Sequence, residues 1–309
     1  MKEKFLIIAG TFKSGTSSLF TYLNQIDTIE GSSIKETGFF VPAKYDMPIG
    51  DQKQYLSYFK SSEDSNYFME ASPGYLYGGK KIADALRERL GPNTKIVFLL
   101  RNPVERFISF YKMLSHANVV DIPSDVSEQK LSLQQYIDAC KNYIGNNDFT
   151  NEKSDYVYNG LMDGAYVSFL KEWFHVFGQD NIRIVFFDDL THQPKQTCAV
   201  LLEWLKLEET ALNNVSFRPV NQFRESKSKV MQRIAMRVNK LFESFFRRNE
   251  RFKQKLVVAY ERLNTKKNVQ KDNLYFKETK YLKDFYAAHN SELHVFLKEK
   301  GYTKLPDWN

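Results

Sequence analysis

Three short apolar runs, FLIIAG (5–10), KIVFLL (95–100) and IRIVFF (182–187), constrain this chain more than any other feature. None alternates with polar residues. That pattern suits strands buried on both faces of a parallel sheet rather than strands with one wet face. NYFMEAS (66–72) is a fourth candidate. Helical spacing fills the gaps. Leu19, Phe20 and Leu23 share one face of 17–25. Residues 79–90 run into a Gly91-Pro92 stop. Tyr166, Leu170, Trp173, Phe174 and Phe177 form one stripe of 164–177. Strands alternating with helices predict an α/β fold with a central parallel sheet flanked by helices.

The first run leads into GTFKSGTS (10–17). Strand, glycine-rich turn and helix start would gather backbone N–H groups at one point, where the helix dipole adds positive charge. Gly10 and Gly15 have the spacing of the nucleotide-binding pattern G-x-x-x-x-G-K-[ST], yet Thr16 stands where its lysine belongs and a lysine comes earlier, at 13. The hydroxyls of Thr16, Ser17 and Ser18 suit either an anion cradle or an ordinary capped turn. The second run opens KIVFLLRNPVERFISFY, again strand, loop and helix, with Arg101 just past the strand and Ser109 two turns into the helix. Ligands of open parallel sheets bind outside the carboxyl ends of the strands. An arginine there offers a two-pronged fork for a phosphate.

The pairing of TFKSGTSSLFTYL with LLRNPVERFISFY resembles the cofactor signature of the sulfotransferases that use PAPS, 3′-phosphoadenosine 5′-phosphosulfate. The resemblance continues in GAYVSFLKEWFHVFGQDNIRIVFFDDL and in the closing YLKDFYAAHNSELHVFLKEKGYTKLPDW, closest to bacterial and heparan-sulfate-type carbohydrate members. It implies one sulfotransferase domain over 1–309, with the P-loop-like fold of that family and a long helical C-terminal region. It implies that Lys13, Ser14, Gly15, Thr16, Ser17 and Ser18 bind the 5′-phosphosulfate, and that Arg101 and Ser109 bind the 3′-phosphate. PAP, adenosine 3′,5′-bisphosphate, would be the product. FRPVNQFRESKSK (217–229) is similar to a basic stretch of bacterial members, which would place Arg224 and Lys227 over the same ligand.

IKETGFF (34–40) resembles the Lys-Glu-x-x-Phe-Phe segment of the heparan-sulfate-type enzymes, where the glutamate is the general base. That role would fall on Glu36, with Lys35 beside it. The chemistry supports the assignment, since a sugar hydroxyl is a poor nucleophile until a placed carboxylate takes its proton. MEASPGYLY (69–77) is similar to a further stretch of those enzymes, but Ala71 replaces their lysine. The histidine used by the small-molecule sulfotransferases has no counterpart before Arg101; His116 follows it as an alternative. The expected reaction is in-line transfer to a hydroxyl of a carbohydrate or glycolipid. Lipid, polyketide and small-molecule alcohols stay open as acceptors, and a P-loop kinase or NTPase is the rival class.

Composition sets the remaining bounds. The net charge of +7 is local: residues 224–271 carry 15 Lys/Arg against 4 Asp/Glu. Val230, Ile234, Val238, Leu241, Phe242 and Phe245 make an apolar stripe along 227–270, so a basic amphipathic helical segment is expected. It would contact an anionic membrane or an acidic glycan, or simply pack on the domain with its basic face solvated. No nucleic-acid partner is expected, because its aromatics have core spacing rather than that of a stacking platform. Two distant cysteines, Cys140 and Cys198, give neither a disulfide framework nor a metal-ligand spacing. No run approaches a membrane span, so a cytoplasmic protein needing no metal is expected, at most peripheral to the inner membrane face. Residues 112–160 read as an irregular insertion with one short helix near 131–143, placed to serve as an acceptor lid.

Overall fold

In the computed structural model, β1 (Phe5–Gly10) is the centre of a five-stranded, wholly parallel sheet. The other strands are β2 (Ile29–Gly31), β3 (Tyr67–Ala71), β4 (Lys95–Leu100) and β5 (Ile182–Phe186), in the spatial order β2-β3-β1-β4-β5. The structure describes residues 4–60, 65–116, 131–146, 152–218 and 275–308, with Val220 and isolated positions 231, 235, 238 and 256. Two compact units divide the chain, residues 1–220 with 275–309 and residues 221–274. The second lies almost wholly outside the described residues, and the expected basic amphipathic segment, with Arg224 and Lys227, lies there with it.

The apolar runs become strands because only a sheet covered on both sides buries every residue of such a run. Side chains alternate across the pleat. Phe5, Ile7, Ala9, Ile96, Phe98 and Ile184 face one layer, and Leu6, Ile8, Val97, Leu99 and Val185 face the other. The first layer is closed by α4 (Gly79–Leu90) and α8 (Tyr166–Phe177), through Ile82, Leu86, Leu170 and Trp173. The second is closed by α1 (Thr16–Leu23) and α10 (Pro194–Leu205), through Leu19, Leu23, Leu201 and Leu202. Two stripes expected from helical spacing are buried as expected: Leu19, Phe20 and Leu23 of α1, and Tyr166, Leu170, Trp173, Phe174 and Phe177 of α8.

Three local readings change. Phe187 belongs not to β5 but to the first turn of α9 (Phe187–His192). The three-residue β2 was not anticipated; it is too short to show a period. The described parts of 112–160 hold more helix than the one expected near 131–143, which is present as α6 (Leu133–Asn146). α5 (Pro103–His116) extends into that stretch, and α7 (Glu152–Tyr158) follows α6. Tyr136, Ile137 and Cys140 of α6 form a third core with Phe107, Phe110 and Leu114 of α5 and with Leu282 and Tyr286 of α11 (Phe276–Glu299). Polar residues on the outer faces of α6 and α7 disguised that core in the sequence.

Candidate active site

The chain leaves β1 toward β2 and β3 on one side and returns to β4 on the other, so the carboxyl ends of β1 and β4 flank the topological switch point. The loop after β1 is held there by β4. Thr11 donates from its backbone N to Leu99 O at 2.9 Å and from its hydroxyl to the same oxygen at 3.0 Å. Its Oγ1 also lies 2.5 Å from Ser14 Oγ. Phe12 stacks on Tyr77 at 5.3 Å between ring centroids. Two residues of the turn are left-handed, Lys13 at φ 66° and Gly15 at φ 87°. Gly15 is required twice over: a Cβ there would sit 3.2 Å from Leu190 and 3.3 Å from Phe187. Gly15 is the N-cap of α1, so the N–H groups of Thr16, Ser17 and Ser18 belong to its first turn and point along the axis out of the helix start.

The sequence placed six loop residues at the phosphate. The structure separates them by where their side chains go. Ser14 and Ser18 are buried, and Ser18 Oγ accepts from Val220 N at 3.1 Å. Those two hydroxyls are occupied inside the protein. Ser17 stays partly exposed at the helix start. The Lys13 ammonium is held below the ordinary lysine range by burial and then by the Arg101 charge, against the pull of the Glu36 carboxylate. Three residues from three separate loops, Lys13, Arg101 and Glu36, thus share one electrostatic neighbourhood.

Arg101 stands at the end of β4. Its Nη1 donates to Lys13 O at 3.1 Å, its Nη2 to Glu105 Oε2 at 2.9 Å, and its guanidinium lies 4.4 Å from the Phe187 ring centroid. Sequence reading did not single out Glu105 or Phe187. The i+4 spacing from Arg101 was a usable sign for the first, but nothing in the sequence tied Phe187 to Arg101. Ser109 is half-buried on α5. His116 is the last residue of α5, and its side chain lies outside the described residues.

Glu36 sits in the loop after β2, also left-handed at φ 63°, with its backbone N donating to Ala71 O at 2.9 Å. Its carboxylate is 52% exposed and pairs with Lys35. Tyr156 of α7 packs edge-on against Phe12 at 5.3 Å, and its hydroxyl is pushed up to about 12 by burial and by the nearby Glu36. The stretch read as an insertion therefore reaches the loop residue beside Lys13. α7 is seated by Asp155, which accepts from Tyr45 OH at 2.9 Å and pairs with Lys44. Among the described residues no group of His, Cys, Asp or Glu is arranged to hold a metal ion, and no helix is long and apolar enough to cross a membrane.

A glycine turn of this geometry also serves nucleotide hydrolases, so the chemistry is decided by comparison. A family model for the sulfotransferase domain matches residues 3–283. This chain belongs to the sulfotransferase family. It is 24% identical over 310 residues to the bifunctional heparan sulfate N-deacetylase/N-sulfotransferase 1 of Caenorhabditis briggsae, covering 98% of this chain and 31% of that one. A stretch of 105 residues, 34% of this chain and 22% of its relative, is 35% identical to the membrane-associated sulfotransferase kil1 of Dictyostelium discoideum. The chain thus spans less than a third of the length of these curated relatives. The crystal structure of a sulfotransferase from Alicyclobacillus acidocaldarius shares the fold, with a TM-score of 0.55 at 24% identity, over 76% of this chain and 90% of that one. Enzymes of this family draw the sulfuryl group from PAPS.

Proposed function

We propose that this sulfotransferase moves a sulfuryl group from PAPS to a hydroxyl of an acceptor, with a carbohydrate as the favoured acceptor class. The observation that carries the reading is the convergence of Lys13, Arg101 and Glu36 at the mouth of β1 and β4. The turn after β1 would receive the 5′-phosphosulfate through the N–H groups at the start of α1, the hydroxyls of Thr16 and Ser17, and the Lys13 cation. Ser14 and Ser18 would contribute backbone rather than hydroxyl groups. Arg101 and Ser109 would hold the 3′-phosphate, with Phe187 behind the guanidinium.

The acceptor oxygen attacks sulfur as Glu36 takes its proton, and the bond from sulfur to the bridging oxygen breaks. Lys13, assisted by Lys35, stabilises the charge that develops, and PAP leaves as the anion. Positioning and fixed charges supply the catalysis, with no metal needed for any of these steps. The heparan sulfate relatives support a carbohydrate acceptor, and Tyr156 with Phe12 is placed to meet it. Residues 224–271 would serve an acidic glycan or an anionic membrane surface. A cytoplasmic setting remains our reading.

Thermal unfolding of the purified chain with PAP, with Mg-ATP and with a DNA oligonucleotide tests the reading. Stabilisation by PAP alone is expected. A larger shift with Mg-ATP would replace sulfuryl transfer by a kinase or NTPase activity.

A further inference from the structure

Glu70 is fully buried in β3, and no ion pair among the described residues neutralises it. Four hydroxyls surround it instead. Ser72 donates to Oε1 at 2.6 Å and Tyr75 at 2.8 Å, Thr37 reaches the same oxygen, and Tyr55 donates to Oε2 at 2.9 Å. Three of these hydroxyls make a second bond, always to the loop that carries Glu36. Gly38 N donates to Ser72 Oγ at 3.1 Å, Phe39 N to Thr37 Oγ1 at 3.2 Å, and Phe40 N to Tyr75 OH at 3.2 Å. The backbone N of Glu36 itself donates to Ala71 O, next to Glu70 in the strand.

The direction of these bonds has one source. A carboxylate only accepts, so every hydroxyl around it must turn its hydrogen inward. Its lone pairs then face outward, toward the loop amides. A left-handed conformation at a residue other than glycine, as at Glu36, persists only where the surroundings over-determine it.

We propose that Glu70 is the positioning residue of the site: its carboxylate orients the hydroxyls of Thr37, Ser72 and Tyr75, which in turn hold the 37–40 backbone and thereby aim Glu36 at the Lys13–Arg101 pocket. The proposal rests on the reading of Glu36 as the base. A methionine in place of Glu70 keeps roughly the volume but offers only a weak acceptor, so the hydroxyls of Thr37, Ser72 and Tyr75 lose the group that turns their lone pairs toward the loop amides.

Hydrogen–deuterium exchange of the full chain, resolved by residue, tests this without an acceptor. In Glu70→Met the amides of Glu36, Gly38, Phe39 and Phe40 should exchange about tenfold faster, while α1 and β1 keep their protection and PAP affinity stays unchanged. PAP release from PAPS, with water as the acceptor, should fall roughly 10–100-fold in kcat, with the KM for PAPS unaltered. Thr37→Val and Tyr75→Phe each remove one spoke of the cluster and carry the test if Glu70→Met fails to fold; each should loosen the loop with Glu70 in place. Unchanged exchange at 36–40 in these variants would overturn the proposal. So would a loosened loop with full PAP release in a protein where Glu36→Gln abolishes it. Full PAP release in Glu36→Gln itself would overturn the base assignment instead, and the exchange data would then stand on their own.

Discussion

Arg101 donates from Nη1 to the carbonyl oxygen of Lys13 over 3.1 Å, joining the loop after β4 to the loop after β1. The bond places a guanidinium fork beside the glycine turn, where the Arg101 charge lowers the Lys13 ammonium while Glu105 and Glu36 offset the two cations. Under the proposed reading the fork takes the 3′-phosphate. Arg101→Ala should weaken PAP binding by roughly 100-fold, since charge-assisted hydrogen bonds of about 1.5–3 kcal/mol each are lost. Adenosine 5′-phosphosulfate lacks the 3′-phosphate, so its affinity should change far less. Isothermal titration of both ligands against both proteins gives the comparison.

Lys13 gives the site its pH dependence. Its ammonium is lowered by burial and by Arg101, so in the ligand-free protein it loses its proton at a lower pH than an ordinary lysine. A bound anion favours the charged form. PAP affinity should therefore be steady at neutral pH, decline on the alkaline side below the usual lysine range, and be accompanied there by proton uptake. Lys13→Met should bind weakly throughout and lose that alkaline decline. Calorimetry in two buffers of different ionisation enthalpy measures both effects.

Glu36→Gln should leave PAP binding intact and lower sulfuryl transfer by roughly 10²–10⁴-fold, the usual worth of a placed general base. Radiolabelled transfer from PAPS to a panel of desulfated glycans, beside titration with PAP, separates the two quantities. Loss of PAP binding in this variant would move Glu36 from the base position to the cofactor pocket.

Gly15→Ala should be costly at a single methyl group. The left-handed backbone costs about 1–2 kcal/mol for any residue with a Cβ, before the contacts with Leu190 and Phe187 are counted. A fall in Tm of roughly 2–8 °C follows for a domain of this size, measured by calorimetry.

Burial pushes the thiols of Cys140 and Cys198 up to about 12, and both side chains sit in apolar cores. Neither should react with Ellman's reagent in the folded protein near neutral pH, whereas two thiols should titrate in denaturant. A fast-reacting thiol in the native state would contradict the burial of α6 or α10.

The site was partly legible in the sequence because two of its parts are local. A glycine turn after a strand, and an arginine at the end of another, are set by neighbouring residues. Strands β1 and β4 and helix α4 have the expected bounds for the same reason, since each carries its own pattern of burial and stop signals. The inward turn of Ser14 and Ser18 was not legible, because a hydroxyl at a helix start serves a ligand or the protein equally well until its partner is known. Glu70 was not legible either: between apolar residues of a strand, nothing marks a carboxylate as a hub for four hydroxyls that lie from two residues to more than thirty away along the chain.

By itself the sequence determined the alternation of buried strands and helices, which follows from short-range periodicity, the tight turn after β1, which follows from the conformational freedom of glycine, and the family likeness, which its motifs carry. Only the tertiary structure decided which side chains meet. The order β2-β3-β1-β4-β5 brings the ends of β1 and β4 together, the loop after β2 carries Glu36 toward Lys13 from 23 residues away, and α7 carries Tyr156 to Phe12 from 144 residues away. Hydrogen bonds and charges act over a few ångströms of space, and separation along the chain does not record that distance.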